Sequence, residues 1–259
     1  MILRDKYAMD IEENIWIAKR LLVDSVYTSA NLEGIAVTFA QTQDILNNVN
    51  VSHLTPKDIN KVCCLRDAWE YMIEHIHDEL NMGYLMNIHE LIARFDVPYS
   101  YLGRVRTDDV IISGTNWRPE VHSVEYYHKG LMELQDNPNV TDRAIRTGLW
   151  LMRCQVFKDG NKRIGSFAIN KILIENGRGI FKVPVELDGT FKQMLVSYYE
   201  SNNADELASW ICDNCLDGVN KIQVKDDIEA EADLDESIEN PEYTPCLLYT
   251  SPSPRDRTR

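Results

Sequence analysis

The sequence lacks an unbroken apolar run of about 18 residues, the length that a membrane-spanning helix needs. Its first residues, Met1 to Lys6, become charged at once and so lack the apolar centre of a secretory signal peptide. Basic residues are outnumbered, 27 against 41 acidic ones, which argues against a general binder of nucleic acid or of anionic membranes. We therefore expect a cytoplasmic protein with no nucleic-acid and no membrane partner.

The six cysteines include no pair of CxxC motifs of the kind that binds zinc. Cys212 and Cys215 lie three residues apart, but on an apolar helical pattern and without a second pair. Core thiols in a reducing compartment account for this usage. With 44% hydrophobic residues, the 259-residue chain can bury one sizeable core.

The negative charge is concentrated near one end of the chain. Nine carboxylates and no bases lie between Asp226 and Glu242, so that nine of the 14 net negative charges belong to this stretch. Residues 219–245 are therefore predicted to be a disordered acidic tail. Residues 246–259 are basic, rich in Pro and Ser, and resemble translated sequencing-adapter sequence; they receive no structural or functional weight, and the native C-terminus stays open.

Apolar residues at helical spacing predict a mainly α protein. We expect an N-terminal helical region over residues 1–40 and a helical core over residues 41–218. Thr55 is the expected N-cap of one helix, with Pro56 at its first position, and His89 is expected to be a core or interhelical histidine. The predicted helices cover residues 10–28, 56–80, 84–95, 123–135, 141–157, 161–176, 188–200 and 204–217.

The most informative stretch runs from Cys154 to Ser166, between two apolar helical segments. Gly160 provides a tight turn, and Asn161 is expected to cap the next helix. The free N–H groups at that helix start form an anion site, to which Lys162 and Arg163 add positive charge. Asp159 can hold a hard cation such as Mg²⁺ beside bound phosphates. The stretch therefore predicts a helix, a phosphate loop and a second helix.

This stretch resembles the signature of the Fic family, which has the Fido fold: His-x-Phe-x-(Asp/Glu)-Gly-Asn-(Gly/Lys)-Arg-x-x-Arg. The residues that match in order and spacing are Phe157, Asp159, Gly160, Asn161, Lys162 and Arg163. Two positions depart from it: Gln155 stands in place of the catalytic His, and Ser166 in place of the second Arg. The resemblance implies a helical Fic/Fido domain with one short β-hairpin, the flap.

The resemblance implies transfer of AMP from ATP, or from another nucleoside triphosphate, onto a Ser, Thr or Tyr hydroxyl of a target protein. Asp159 would then bind Mg²⁺, Gly160, Asn161 and Lys162 would cradle phosphate, and Arg163 would hold phosphate charge. Gln155 cannot serve as the base, because an amide has no useful basicity. Loss of a general base costs about 10²–10⁴-fold in rate.

Residues 29–34 form a second motif, in which Ser29 and Glu33 precede Gly34. On one interpretation it is only a helix end with Gly34 as its stop. On the other it resembles the (Ser/Thr)-x-x-x-Glu-(Gly/Asn) inhibitory motif of many Fic proteins, whose Glu pairs with the second signature Arg. Because Ser166 replaces that Arg, Glu33 is expected either to pair with Arg163 or to restrain little.

Residues 110–117 are rich in β-branched and turn-forming types and predict a hairpin with its turn at Ser113-Gly114. In the Fic family, a hairpin at this place is the flap, which aligns a target segment by strand addition. The alternative is a purely structural hairpin. The residues predicted to contact a target are Ile111, Ile112, Gly114, Thr115, Asn116 and Trp117.

Three hypotheses stay open at this point. The chain is a degenerate Fic protein that binds nucleotide with little or no transfer, a working transferase, or a non-catalytic interaction module. A working enzyme would need another base, for which Asp108, Asp109 and Glu120 are the candidates near the flap, or deprotonation assisted by the substrate. Lys162 also occurs in Doc-type kinases, which leaves the transferred group open, and a homodimer is a further possibility.

Overall fold

The structure is a computed structural model that describes residues 2–219. Its helices are α1 (Ile11–Arg20), α2 (Leu22–Leu32), α3 (Phe39–Leu46), α4 (Pro56–Glu74), α5 (Met82–Ile92), α6 (Val124–Gln135), α7 (Val140–Cys154), α8 (Asn161–Glu175), α9 (Asp188–Ser201) and α10 (Asp205–Asn214). Two short strands, β1 (Ile180–Phe181) and β2 (Leu216–Asp217), pair antiparallel. The predictions for residues 220–259 lie outside the described residues.

The mainly α fold class is confirmed, although some elements differ from those predicted. The helix predicted over residues 10–28 is divided at Leu21 into α1 and α2, and α3 was not predicted. The sequence signal for α3 is a capping box, in which Thr38 and Gln41 each accept a hydrogen bond from the other's backbone. The predicted start of α4 is confirmed, because Thr55 accepts from the backbone N–H of Asp58.

Helices α7 and α8 form the centre of the molecule and cross at two glycines. A Cβ on Gly148 would lie 2.6 Å from the carbonyl oxygen of Gly165, and a Cβ on Gly165 would lie 2.6 Å from that of Gly148. Only glycine therefore permits this approach. The buried face of α7 includes Leu149, Leu151 and Met152. This packing fixes both ends of the signature loop, residues 155–160, which joins the two helices.

The N-terminal helices are tied to the core by polar contacts. The buried Asn14 amide accepts from the Gly179 backbone N–H at 2.8 Å and donates to the Gly179 carbonyl at 3.3 Å. Helix α2 ends at Leu32, and Gly34 follows in the left-handed conformation, as predicted for a helix stop. This geometry places Glu33 beside the start of α8.

The predicted β-hairpin is wrong in its strands. The flap segment, residues 110–117, turns at Ser113–Gly114 with Gly114 at a φ of +83°, but neither arm is a strand. An isolated two-stranded ladder is marginally stable. Here the returning arm is held by side chains instead, since the Thr115 hydroxyl donates to Glu200 of α9 at 2.9 Å. The one sheet among residues 2–219 is the β1–β2 pair.

Within the described range, no helix combines the length and the apolar character needed to cross a bilayer.

Candidate active site

The signature loop begins and ends with left-handed residues. Gln155 follows α7 at φ 50° and ψ 57°, and Gly160 precedes α8 at a φ of +79°. The predicted glycine turn is therefore confirmed. The predicted cap is wrong: Gly160 occupies the N-cap position, and Asn161 is the first residue of the helix. The first N–H groups of α8 have no partner within the helix and mark the end of the loop as an anion site.

Asn161 is buried and holds the loop together. Its Oδ1 accepts from the Phe157 N–H, and its Nδ2 donates to the Phe157 carbonyl, both at 2.8 Å. The same amide nitrogen lies 3.1 Å from Gln155 Oε1. The Asn161 side chain therefore serves the conformation of the loop, since both polar atoms are already bound inside it.

Gln155 is held at both ends of its side-chain amide. Its Nε2 donates to the Met152 carbonyl at 2.6 Å, while its Oε1 accepts from Asn161. Its backbone carbonyl accepts from Nε of the buried Arg106 at 2.6 Å. Tyr199 of α9 lines the same cleft, and burial raises the pKa of Tyr199 well above its ordinary value. Neither residue can take a proton from a hydroxyl at neutral pH.

Arg106 was not predicted from the sequence, yet it joins the loop to the flap. Its guanidinium donates to the carbonyls of Asp108, Pro119 and Glu120, on both sides of the flap segment, as well as to Gln155. Arg106 is only 1% exposed, and its burial is tolerated because its N–H groups donate to four carbonyl oxygens.

Asp159 lines the cleft with a side chain that is 56% exposed, and its Oδ1 lies 3.8 Å from Arg163 Nη2. Its Oδ1 accepts from the Gly160 N–H at 2.6 Å. Mg²⁺ is commonly bound through one or two carboxylates together with substrate phosphates. One exposed carboxylate beside a helix N-terminus fits that donor set. Among residues 2–219, no group of three or more His, Cys, Asp or Glu side chains could hold a metal without such phosphates.

His89 lies directly behind Asp159. The ring is fully buried, its Nδ1 accepts from the Gly103 N–H at 3.0 Å, and its Nε2 lies 3.2 Å from the Asp159 carbonyl oxygen. Burial lowers the pKa of His89 to about 4, so the ring is neutral near pH 7. The prediction of a core or interhelical histidine is confirmed, although its contact with the signature loop was not foreseen.

Arg163 is enclosed by carboxylates. Its Nη1 lies 2.6 Å from Asp96 Oδ2 and donates to the Ile92 carbonyl at 2.8 Å, while its Nε lies 3.2 Å from Glu33 Oε2. Burial alone would lower the pKa of Arg163, but the charges of Glu33 and Asp96 raise it. Asp96, which also pairs with Lys61, was not predicted, because nothing local in its loop marks it as a partner of α8.

Glu33 reaches both cationic side chains at the start of α8. Its Oε1 lies 3.3 Å from Lys162 Nζ, in addition to its contact with Arg163. The structure thus shows the Glu33–Arg163 pair, one of the two predicted outcomes. Ser29 does not join it: it lines a small separate cavity together with Ser166, whose hydroxyl donates to the Lys162 carbonyl at 3.0 Å.

Part of this set lines one cleft of about 540 Å³, which Arg106, His89, Asp96 and Arg163 do not line. The signature loop and the start of α8 form its floor, Glu33 forms one side, and the flap forms another. A third wall, from α9, was not predicted, because its amphipathic pattern is that of an ordinary helix. The lining residues are Glu33, Val110, Ile111, Ile112, Ser113, Gln155, Lys158, Asp159, Gly160, Asn161, Lys162, Lys192, Leu195, Val196 and Tyr199.

Only part of the predicted contact set of the flap faces this cleft. Ile111 and Ile112 line it, whereas Gly114, Thr115, Asn116 and Trp117 do not. The Arg153 guanidinium lies 3.7 Å from the Trp117 ring centroid, and Trp117 Nε1 donates to the Arg153 carbonyl at 3.4 Å. The returning arm is therefore anchored on α7 and α9.

None of the three candidate bases near the flap lines the cleft. Asp108 is paired with Lys158, and Glu120 is 82% exposed beside His122. Asp109 is likewise exposed and makes no contact with the loop that the structure shows. The cleft brings together Glu33, Gly160, Asn161 and Lys162, whereas the predicted residues Ser29 and Arg163 do not line it. It brings none of the three candidate bases to Gln155.

Residues 70–173 match the sequence model of the Fic/DOC family. None of the curated proteins matches the chain. A fragment of Fic-1 from C. elegans is 16% identical with a TM-score of 0.66, and the match covers 86% of this chain and 73% of the fragment. A Fic-domain signalling protein from Bacteroides thetaiotaomicron is 16% identical with a TM-score of 0.63, and the match covers 78% of this chain and 87% of that protein. A Fic family protein from Desulfovibrio desulfuricans is 17% identical with a TM-score of 0.61, and the match covers 88% of this chain and 70% of that protein. At these identities, the likeness to solved structures establishes the fold.

Proposed function

Because this chain belongs to the Fic/DOC family, we propose that it binds a nucleoside triphosphate, ATP in the first instance, together with Mg²⁺ in the cleft above the signature loop. Transfer of AMP from that nucleotide to a protein hydroxyl is the reaction that the family resemblance implies. We propose that this step is weak or absent here, since Gln155 occupies the position of the base.

The observation that carries the proposal is the composition of the cleft floor. The N-terminus of α8, the Lys162 ammonium and the exposed Asp159 carboxylate meet on one surface of a cleft of about 540 Å³. A volume of roughly 300–1,000 Å³ is usual for small-molecule sites. A helix N-terminus with a lysine favours phosphate, and a carboxylate beside it favours a phosphate-bound Mg²⁺. A purely structural turn would need none of these charged groups.

The weak transfer follows from the hydrogen bonds of Gln155. Its amide is bonded to Met152 and Asn161, so it acts as part of the loop and offers no basic atom. The two carboxylates in the cleft have other roles, because Glu33 is paired with cations and Asp159 is the proposed Mg²⁺ ligand. Among residues 2–219, we therefore propose that no group lining the cleft is free to take the proton of an attacking hydroxyl.

Glu33 is proposed to restrain nucleotide binding through Lys162 and Arg163. An anion that enters the floor of the cleft must compete with a carboxylate for the Lys162 ammonium. Ser166 supplies no charge with which Glu33 could pair instead. Removal of the carboxylate is thus expected to strengthen nucleotide binding.

The target is proposed to be a protein with a Ser, Thr or Tyr hydroxyl that docks against Ile111 and Ile112. Ile111 is 82% exposed, so an apolar contact is available there. Cys63, Cys64, Cys154, Cys212 and Cys215 are free thiols, which fits the proposed location in a reducing cytoplasm. A homodimer stays a prediction.

Calorimetric titration with ATP, with and without Mg²⁺, tests the binding step. The wild type, Glu33→Gly and Asp159→Asn would be compared. We expect Mg²⁺-dependent binding by the wild type, tighter binding by Glu33→Gly and loss of the Mg²⁺ dependence in Asp159→Asn. Absence of binding in both the wild type and Glu33→Gly would refute the proposal and favour an interaction module.

Label transfer tests the chemical step. The wild type, Glu33→Gly and Gln155→His would be incubated with ATP labelled at the α- or the γ-phosphate, Mg²⁺ and lysate proteins. We expect label with Gln155→His alone, at a rate about 10²–10⁴-fold above the wild type. Label with the wild type at a comparable rate would contradict an impaired site, and the labelled phosphate would distinguish nucleotidyl from phosphoryl transfer.

A further inference from the structure

His89 is a buried polar residue beside the site whose contacts the proposed function leaves unexplained. It belongs to α5, and it touches the signature loop at two places. Its Nε2 lies 3.2 Å from the Asp159 carbonyl oxygen, and its ring stacks on Phe157 with centroids 4.1 Å apart and planes 9° from parallel. A histidine that served only to fill the core would not need both contacts.

The two hydrogen bonds of His89 require one protonation state. Gly103 N–H points at Nδ1 at 3.0 Å, so Nδ1 must accept. The Asp159 carbonyl can only accept, so Nε2 must carry the proton. The neutral ring with its proton on Nε2 satisfies both partners, and a neutral imidazole has one donor and one acceptor.

Gly103 is itself built for this contact. It has a φ of +62°, and a Cβ at this position would lie 2.5 Å from Glu90 Oε1. A side chain would therefore be strained and would displace Glu90, which lies next to His89 on α5. The Gly103 N–H is thus delivered to Nδ1 from a fixed position, and this fixes the ring from the side opposite the loop.

The ring in turn determines which way Asp159 faces. Its bond to the carbonyl holds the backbone of Asp159 on the buried side, while the carboxylate is 56% exposed on the cleft side. The same carboxylate accepts from the Gly160 N–H, so its direction depends on the peptide that His89 holds. If that peptide were free to rotate, the carboxylate would leave the floor of the cleft.

We propose that His89 is a positioning residue that orients Asp159 for Mg²⁺-dependent nucleotide binding. The inference rests on the proposed function, since it concerns the same site. His89 acts through Asp159 and touches neither nucleotide nor metal. Outer-shell groups of this kind typically change metal affinity by about 10–100-fold when they are lost.

The test compares two substitutions that treat the hydrogen bonds differently. His89→Phe keeps a ring against Phe157 but can neither accept from Gly103 nor donate to Asp159. His89→Gln supplies an amide oxygen and an amide N–H in place of the two ring nitrogens. Leu85→Ala, which removes a fully buried side chain one turn earlier on α5, controls for a general loss of stability.

ATP affinity would be measured by calorimetry with and without Mg²⁺. We expect His89→Phe to weaken Mg²⁺-dependent binding by about 10–100-fold and to change Mg²⁺-free binding much less. His89→Gln should recover most of the affinity, and Leu85→Ala should keep it despite a lower melting temperature. Equal Mg²⁺-dependent affinities for the wild type and His89→Phe would overturn the inference, as would equal losses in His89→Phe and Leu85→Ala.

A spectroscopic measurement separates this inference from the proposed function. In the ligand-free wild type, ¹⁵N chemical shifts of the His89 ring should report the neutral form with its proton on Nε2, and the Gly103 amide should exchange slowly. A proton on Nδ1 would overturn the inference even if ATP binds. A wild type that shows the Nε2–H form but binds no ATP would instead overturn the proposed function and leave His89 a structural residue.

Discussion

The floor of the cleft and its flap wall are built differently, although both line the same cleft. Asn161 in the floor and its neighbour Arg163 are at most 6% exposed, and both are bonded to partners inside the protein. In the flap, Ile111 is 82% exposed, and the arms of the segment form no strands. The floor is therefore preformed for a ligand of fixed shape, whereas the flap can adapt to a segment supplied by a partner.

The difference follows from where each wall finds its partners. The loop is covered from behind by α5 and by the segment after it, which supply His89 and Asp96. The flap is held only at its base, by Arg106, and along its returning arm, by Glu200 and Arg153. Substitutions should accordingly cost stability in the floor and cost target recognition in the flap.

The largest effect is expected from Arg163→Met. This change leaves Asp96 and Glu33 without their shared cation, and breaking a buried ion pair costs about 3–5 kcal/mol. Urea unfolding would measure the loss. Arg178→Met is the matched control, because its pair with Asp5 lies near the surface, where such pairs contribute about 1 kcal/mol or less. Equal losses in the two variants would contradict a preformed floor.

The same ion pair predicts a dependence of stability on pH. Burial raises the pKa of Asp96, but the charges of Arg163 and Lys61 outweigh it, so that the pKa lies below the ordinary value. A carboxyl of this kind stabilises the fold fully above its unfolded pKa of about 3.9 and loses that contribution as pH falls through the folded pKa. Unfolding measured across this range should show a shallower acid slope for Arg163→Met than for the wild type.

The next effect is expected from Asn161→Ala. It leaves the Phe157 N–H and carbonyl without partners, and a buried group left unsatisfied costs about 1–3 kcal/mol. Asn170→Ala is the control, since Asn170 also lies buried on α8 and bonds the N–H and carbonyl of a phenylalanine, Phe181. Both variants should lose stability in urea, but only Asn161→Ala should weaken MgATP binding. If Asn161→Ala bound MgATP as tightly as the wild type, the proposed site would not depend on the loop conformation that Asn161 holds.

The sequence predicted the loop well because its determinants are local. Gly160, Asp159 and Lys162 are neighbours in the chain, and the helices on either side are long and apolar. His89, Asp96 and Arg106 could not be predicted as partners of the loop, because each approaches it from about 50–70 positions away in the sequence, through tertiary packing. The prediction of strands in the flap was wrong for a related reason. β-branched residues indicate a strand only where a second strand is present to pair with it.

Two glycines allow a direct comparison of the walls. Gly160 in the floor and Gly114 in the flap have φ values of +79° and +83°, and a Cβ on either would make no contact shorter than 3.5 Å. Changing either to Ala should therefore cost a similar amount, about 1–2 kcal/mol of backbone strain. Their functions should differ, since Gly160→Ala should weaken MgATP binding and Gly114→Ala should not. Equal effects on MgATP affinity would show that the walls are not independent.

The smallest effect on stability is expected from Ile111→Ser. An exposed substitution of this kind changes stability by about 0.5 kcal/mol or less, because little apolar area is removed from the interior. In a Gln155→His background, however, it should reduce labelling of a target protein while leaving MgATP affinity unchanged, because Ile111 lies on the wall of the cleft that is proposed to contact the target. Tyr99→Ser is the matched control: Tyr99 is 87% exposed but lies outside the cleft. If the two variants labelled the target equally well, the flap would be a structural segment, and recognition of the target would have to come from the α9 wall.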